Sequence, residues 1–357
     1  MPALLVVAAP LAIFEEIRVQ GGSNSGDTFK PLQLHLNRVA SARISFGISR
    51  IGGTRFDRLA KQQRQINLQR CSWRFLRRPS RPALPGCRAI QGLSMEERRV
   101  TFPSPKGSEI VATWQLPEAA EVVVLCHGLG DHKDGFHLPA LAAALAAAGL
   151  GSLRLDFPGN GESRGTFRYA NMRDEAEDMR AAVEFLRHQG KHVVGLLGHS
   201  KAGSGVILYA AKYDDIPRVV NVSGRFDNQR GITERFGADI FDRLEKEGGV
   251  QIVWPNRSNP DVDPLNKFTW TLTEEDMQNR MTLDMDPHSR AIKHSRVFTI
   301  HGSADATIPV EDAHSFHERI ANSELCIVDG ADHNYKKPEH AKILIEKAVK
   351  FLADGEV

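Results

Sequence analysis

The stretch Val193-Val194-Gly195-Leu196-Leu197-Gly198-His199-Ser200-Lys201-Ala202-Gly203 constrains the fold of this chain more than any other segment. A short apolar run stops at a small residue, presents a serine, and opens at once into a helical pattern carried by Ala202, Val206, Ile207, Leu208, Ala210 and Ala211. A buried strand that passes into a helix without a loop needs a sharp turn, and Gly198, Ala202 and Gly203 are small enough to allow it. The serine hydroxyl then points outward, as in a nucleophile elbow. Serine is also a common helix N-cap, and the segment taken alone leaves the two readings even.

The rest of the chain tips the balance. A serine hydroxyl is a weak nucleophile at neutral pH; it needs a histidine to take its proton and a carboxylate to hold that histidine in the useful tautomer. Val297-Phe298-Thr299-Ile300-His301-Gly302 reads as a buried strand, and Asp305 lies in the loop that follows. Leu325-Cys326-Ile327-Val328 reads as the next buried strand, with His333 just beyond it. The chain order is therefore Ser200, Asp305, His333. Asp329 and Asp332 compete for the acid role, and His127, His199 and His301 compete by residue type; placement at a strand end favours Asp305 and His333.

With that order, the segments resemble the α/β-hydrolase family, whose nucleophile, acid and histidine follow successive parallel strands in this sequence. The resemblance runs from about residue 98 to 352. It implies a mostly parallel twisted sheet with helices on both faces and a small helical cap. Glu121-Val122-Val123-Val124-Leu125-Cys126-His127-Gly128-Leu129-Gly130 looks like the strand and turn that supply half of the oxyanion hole, with the backbone N–H of Leu129 as one donor and that of Lys201 as the second. Leu153-Arg154-Leu155-Asp156-Phe157-Pro158-Gly159-Asn160-Gly161-Glu162-Ser163-Arg164-Gly165 looks like the family's glycine-rich loop. Ala202 stands where the family usually has glycine. The literal G-x-S-x-G pattern falls at Gly161–Gly165 instead, but Ser163 follows a polar Pro/Gly loop and no helix begins after it, so Ser200 is the better nucleophile.

Strands are expected at 98–102, 110–115, 122–126, 151–155, 193–197, 219–222, 297–300 and 325–328, and helices at 139–148, 172–187, 201–213, 311–320 and 338–352. This alternation points to a parallel sheet covered on both faces. Residues 224–294 break it, with helices expected around 234–246 and 274–281, the latter opened by Thr271 with Glu274 as a capping box. A cap over the site belongs there in this family. Of Phe236, Phe241, Trp254, Phe268, Trp270 and Met277, some would line an apolar acyl or aromatic pocket and more would pack the cap onto the sheet.

Charge divides the chain. Residues 1–95 carry 15 Lys and Arg against 4 Asp and Glu, whereas the remainder carries 31 against 40. The first part lacks sustained apolar periodicity and reads as a basic, disordered leader; the hydrolase-like domain is placed at 96–357. An arginine-rich, acid-poor leader suggests an organelle transit peptide, and Cys87-Arg88-Ala89 resembles the end of a plastid one, giving a chloroplast location with cytoplasmic as the alternative. A polybasic nucleic-acid arm, a secretory signal over 2–14 and a translation start at Met95 compete with it. The apolar run 2–14 is too short to span a bilayer, so no membrane span is expected. Four cysteines, Cys71, Cys87, Cys126 and Cys326, make no disulfide framework in 357 residues and point to a reducing compartment.

The function expected is that of a serine carboxylesterase-like hydrolase of small or medium ester, thioester or amide substrates. No cofactor, no metal and no nucleic acid is implied; the partner is a small acyl substrate. Asp131, His132, Asp134 and His137 lack the compact spacing of a zinc motif. The resemblance extends to carboxylesterases, feruloyl-type esterases, monoacylglycerol lipases and serine aminopeptidase-like proteins without choosing among them. A slow-turnover ligand receptor on the same scaffold and an acyltransferase stand as alternatives, and oligomeric state is open.

Overall fold

A computed structural model of the chain describes residues 96–255 and 267–357, together with two short strands, β1 (Leu4–Leu5) and β2 (Ile17–Arg18). The chain divides into two units, 1–90 and 91–357. In the first, β1 and β2 pair antiparallel, with Leu4 opposite Arg18. The remainder of the expected leader, with Cys71 and Cys87, lies outside the described residues.

The second unit is built on an eight-stranded sheet. Its strands are β3 (Glu97–Pro103), β4 (Glu109–Gln115), β5 (Glu121–Cys126), β6 (Gly151–Leu155), β7 (His192–His199), β8 (Arg218–Val222), β11 (Arg296–Gly302) and β12 (Ser323–Val328). They lie in the order β12-β11-β8-β7-β5-β6-β4-β3. All neighbours from β12 to β6 pair parallel, and only β4 runs against its neighbours. The β5 side chains show why both faces are covered. Val122, Val124 and Cys126 enter one core and Val123 and Leu125 the other, all fully buried, so the strand reads as a continuous apolar run.

Helices α1 (Leu138–Ala147) and α9 (Pro338–Asp354) cover one face, with Leu138, Leu141, Leu145, Leu344 and Phe351 in its core. The other face carries α2 (Met172–His188), α3 (Lys201–Tyr213) and α8 (Glu311–Arg319), which contribute Met179, Val183, Val206, Ile207 and Phe316. Burying each large aliphatic side chain contributes roughly 1.5–3 kcal/mol. β12, at the sheet edge with one neighbour, leaves Cys326 only half-buried where a fully buried strand was expected; Cys126 is buried, and both thiols are free.

Between β8 and β11 the chain forms α4 (Ile232–Phe236), α5 (Ile240–Glu247), a hairpin of β9 (Gly249–Pro255) and β10 (Lys267–Thr273), α6 (Glu274–Met281) and α7 (Met285–Ala291). The insertion is therefore not purely helical. Val250 pairs with Leu272 and Ile252 with Trp270, and this inward face packs on Phe236, Ile240, Leu244 and Met277. The expected capping box at Thr271 is displaced, because Thr271 belongs to β10 opposite Gln251. Thr273 caps α6 instead, its hydroxyl accepting from the Asp276 amide at 3.1 Å while the Asp276 carboxylate accepts from the Thr273 amide at 3.3 Å. Phe236, Trp270 and Met277 are core, Trp254 is half-buried against them, and Phe241 is exposed. The Phe268 side chain lies outside the described residues.

Candidate active site

Ser200 stands alone between β7 and α3, at φ 56° and ψ −114°. For a non-glycine residue this conformation costs on the order of 1–3 kcal/mol, and the surroundings hold it. Its amide donates to the Val222 carbonyl at 2.8 Å, and a Cβ on Gly198 would overlap the carbonyl oxygen of Ala202. A Cβ on Gly203 would sit 2.6 Å from Asn221 Oδ1, so α3 can approach β8 only without one. Ala202, where glycine is usual, is accommodated with its methyl fully buried. The Ser200 side chain makes no capping bond to the helix, which removes the N-cap reading.

Ser200, Asp305 and His333 meet. His333 Nε2 lies 2.9 Å from Ser200 Oγ, and His333 Nδ1 lies 2.7 Å from Asp305 Oδ2. A carboxylate only accepts, so Nδ1 carries the proton and Nε2 is left bare toward the hydroxyl. The other oxygen, Oδ1, accepts from the amides of Thr307 and Ile308, each at 2.8 Å. Burial by itself would raise the Asp305 pKa. Hydrogen bonds from His301 and His333, attraction to His333 in its protonated form and the Ile308 amide outweigh it and hold the carboxyl well below the usual carboxylate range.

Two histidines weighed against His333, His199 flanking the nucleophile and His301 at a strand end, frame this centre. His301 Nε2 donates to the Ile308 carbonyl at 2.9 Å and lies 3.3 Å from Asp305 Oδ2, so Asp305 sits between two imidazoles. The spacing of His301 and Asp305, four residues apart across a strand-end turn, was the available signal. His199 Nε2 donates to the backbone carbonyl of His333 at 3.0 Å, and its ring stacks on Phe136 at 3.7 Å. Burial, reinforced by repulsion from His333 in its protonated form, keeps His199 well below the usual imidazole range, so it remains a neutral donor.

The other candidates are engaged elsewhere. Ser163 is buried, accepting from the Val111 amide at 2.8 Å and donating to the Asp156 carbonyl at 2.6 Å, which pins the glycine-rich loop to β4. Asp329 accepts from Ser303, and Asp332 accepts from the Lys336 amide. His127 accepts from the Phe157 amide through Nε2. Asp134 pairs with Arg154 and Lys133, and His137 bonds the Asn334 carbonyl. Among the described residues no cluster of three or more His, Cys, Asp or Glu could hold a metal ion. Nor is any described helix long and apolar enough to cross a membrane.

A cleft of about 310 Å³ opens at Ser200, walled by Gly128, Leu129, His333 and Thr307 and roofed from the insertion by Arg235 and Trp254. The backbone N–H groups of Leu129 and Lys201 find no acceptor among the described residues. Lys201 is the first residue of α3, where such orphan donors are expected and where the helix dipole favours negative charge. Its ammonium turns away to the buried Glu175, at 2.8 Å, and to the Arg168 carbonyl and Asn171.

This sheet order, the serine held at positive φ between strand and helix, and the serine–histidine–aspartate contact define an α/β-hydrolase. Within that class the chain belongs to the serine aminopeptidase S33 family, whose model matches residues 117–336. An uncharacterised protein of Saccharomyces cerevisiae is 24% identical over 235 residues, covering 60% of this chain and 69% of that protein. The magnesium-chelatase 30 kDa subunit of Rhodobacter capsulatus is 30% identical over 119 residues, covering 32% of this chain and 39% of that protein. Among solved structures, Est1E from Butyrivibrio proteoclasticus with bound ferulic acid is similar at a TM-score of 0.55 and 20% identity, over 71% of this chain and 97% of that one. The Pyrococcus furiosus esterase Pf2001 is similar at a TM-score of 0.55 and 19% identity, over 76% and 95%.

Proposed function

We propose that this hydrolase is a serine esterase of small or medium acyl substrates, thioesters and amides included, acting through an acyl-enzyme. The observation that carries the reading is the relay in which Ser200 Oγ, His333 and Asp305 are joined by hydrogen bonds of 2.9 and 2.7 Å. Ser200 attacks the carbonyl carbon as His333 Nε2 takes its proton, and Asp305 stabilises the imidazolium that results. The oxyanion falls to the amides of Leu129 and Lys201, each worth on the order of 3–4 kcal/mol in systems where one donor has been removed. His333 then gives its proton to the leaving group, and water repeats the cycle on the acyl-serine. The cleft volume of about 310 Å³ is at the small end of ligand sites, which supports compact substrates. Structural neighbours named as esterases support the same chemistry.

Turnover of 4-nitrophenyl butyrate by the wild type and by Ser200→Ala tests this reading. The wild type should turn over the ester, and the variant should lose at least a thousandfold in kcat. Tight ester binding with turnover at background in the wild type would favour a receptor, and acyl transfer to an added alcohol faster than hydrolysis would favour an acyltransferase.

A further inference from the structure

Beside the cleft, and sharing Leu129, Ser200, Arg235 and Thr307 with it, lies a narrower cavity of about 50 Å³ walled by Arg225 and Arg280. Both of these arginines are more than nine-tenths buried. Arg225 donates to the carbonyls of Arg230 at 3.3 Å and Thr307 at 2.6 Å. Arg280 donates to the carbonyls of Asn228 at 2.8 Å and Arg230 at 2.5 Å, and to the Tyr169 hydroxyl. Each therefore uses two or three of its five N–H groups, all on neutral acceptors.

Among the described residues none of Arg225, Arg235 and Arg280 forms an ion pair. The nearby acids are occupied: Asp227 pairs with Arg230 at 2.7 Å, and Asp312 accepts from the amides of Phe226 and Asp227 and faces Arg230 at 3.8 Å. Lys201, also on the cavity wall, is neutralised by Glu175. Asp312 attracts Arg225 and Asp227 attracts Arg280, but from beyond ion-pair distance; burying two like charges with no anion in contact is costly, and a purely structural clamp on the Arg230 carbonyl would not need both. Burial, with the repulsion of Arg225 and Arg235, pulls Arg280 down to about 10 against the opposing influence of Tyr169 and Asp227. What the two guanidinium groups lack is an anion in contact with them.

We propose that this cavity is an anion subsite, and that the substrate carries a carboxylate placed a few bonds from the scissile carbonyl. The planar carboxylate matches the fork of a guanidinium, and the small volume favours it over a tetrahedral phosphomonoester. The subsite's part in catalysis rests on the esterase reading above; its binding of an anion does not. Dicarboxylic half-esters, with one acid esterified and the other free, are the simplest class that fits.

The test compares 4-nitrophenyl butyrate with the mono-4-nitrophenyl ester of glutaric acid. The wild type should favour the charged ester at least tenfold in kcat/KM, and Arg235→Gln, at an exposed position that avoids the core, should lower that ratio at least tenfold. Arg225→Gln should do the same. Arg243→Gln, on the insertion surface and paired with Glu247 at 3.7 Å, controls for general charge and should leave the ratio unchanged. A wild-type preference for butyrate, or a ratio that Arg235→Gln does not move, would overturn the proposal. A calorimetric arm on Ser200→Ala is independent of turnover: monomethyl glutarate should bind at least tenfold more tightly than dimethyl glutarate, and adding Arg235→Gln should erase the difference. That result without hydrolysis of either ester refutes the esterase and keeps the subsite; hydrolysis of both without charge preference does the reverse. Tighter binding of monobutyl phosphate than of monomethyl glutarate would overturn the carboxylate assignment.

Discussion

Replacing Asp305 by asparagine should inactivate the enzyme through the tautomer of His333 while leaving the chain folded. Oδ1 accepts from two backbone amides at 2.8 Å each, so the asparagine carbonyl oxygen must take that position. Its NH2 group then faces His333 Nδ1 at the 2.7 Å contact, where a donor already stands. The imidazole must release its Nδ1 proton and carry one on Nε2, where it donates to Ser200 Oγ and can no longer accept from it. The charge is lost as well: opposite unit charges 2.7 Å apart interact by about 6 kcal/mol at an effective dielectric near 20. That figure and the tautomer switch agree on a fall in kcat on the order of 10³–10⁴-fold with little change in KM. The NH2 also meets the Nε2–H of His301, so a stability loss of about 1–3 kcal/mol should accompany it. Ester turnover with circular dichroism and a melting curve on the same sample reads all three quantities. A folded Asp305→Asn protein that keeps more than a tenth of wild-type kcat would refute the reasoning.

Gly198→Ala drives a methyl into the Ala202 carbonyl and within 2.9 Å of Val206, so it should abolish activity and cost roughly 3 kcal/mol or more, read by denaturant melts. Ser163→Ala strands the buried Val111 amide and should cost about 1–3 kcal/mol, while ester turnover stays within a few-fold of wild type. Asp178, buried and hydrogen-bonded by Ser104, has its pKa raised from 3.8 to about 7, burial being the main cause and Glu175 and Asp174 adding to it against the Ser104 bond. A raised folded-state pKa gives stability that is full below about pH 4 and is lost as pH rises through 7, on the order of 4 kcal/mol in all. Asp178→Asn should flatten that decline in unfolding curves taken from pH 5 to pH 9.

Much of this fold is legible in the sequence because parallel strands buried on both faces must be apolar throughout and must alternate with amphipathic helices. The eight sheet strands and the five flanking helices of the sheet fall within two residues of expectation for that reason. The insertion was harder. The alternation Val250, Ile252, Trp254 against Gln251 and Val253 is visible, but its partner strand comes only after the intervening residues 256–266, so pairing could not be read locally. Whether a strand is central or at the edge is also absent from periodicity, which is why Cys326 is less buried than expected. Ser200, Asp305 and His333 were readable from strand-end placement and chain order. The contacts of His199 and the three arginines were not, because their meaning lies in distances between segments, such as the 3.0 Å from His199 Nε2 to the His333 carbonyl.

Reaction of the folded protein with a fluorophosphonate, followed by peptide mass mapping, tests the central claim most directly. One adduct is expected, on Ser200, and His333→Ala and Asp305→Asn should each slow its formation by several orders of magnitude. An adduct on Ser163, or a folded protein that takes up no label, would contradict it.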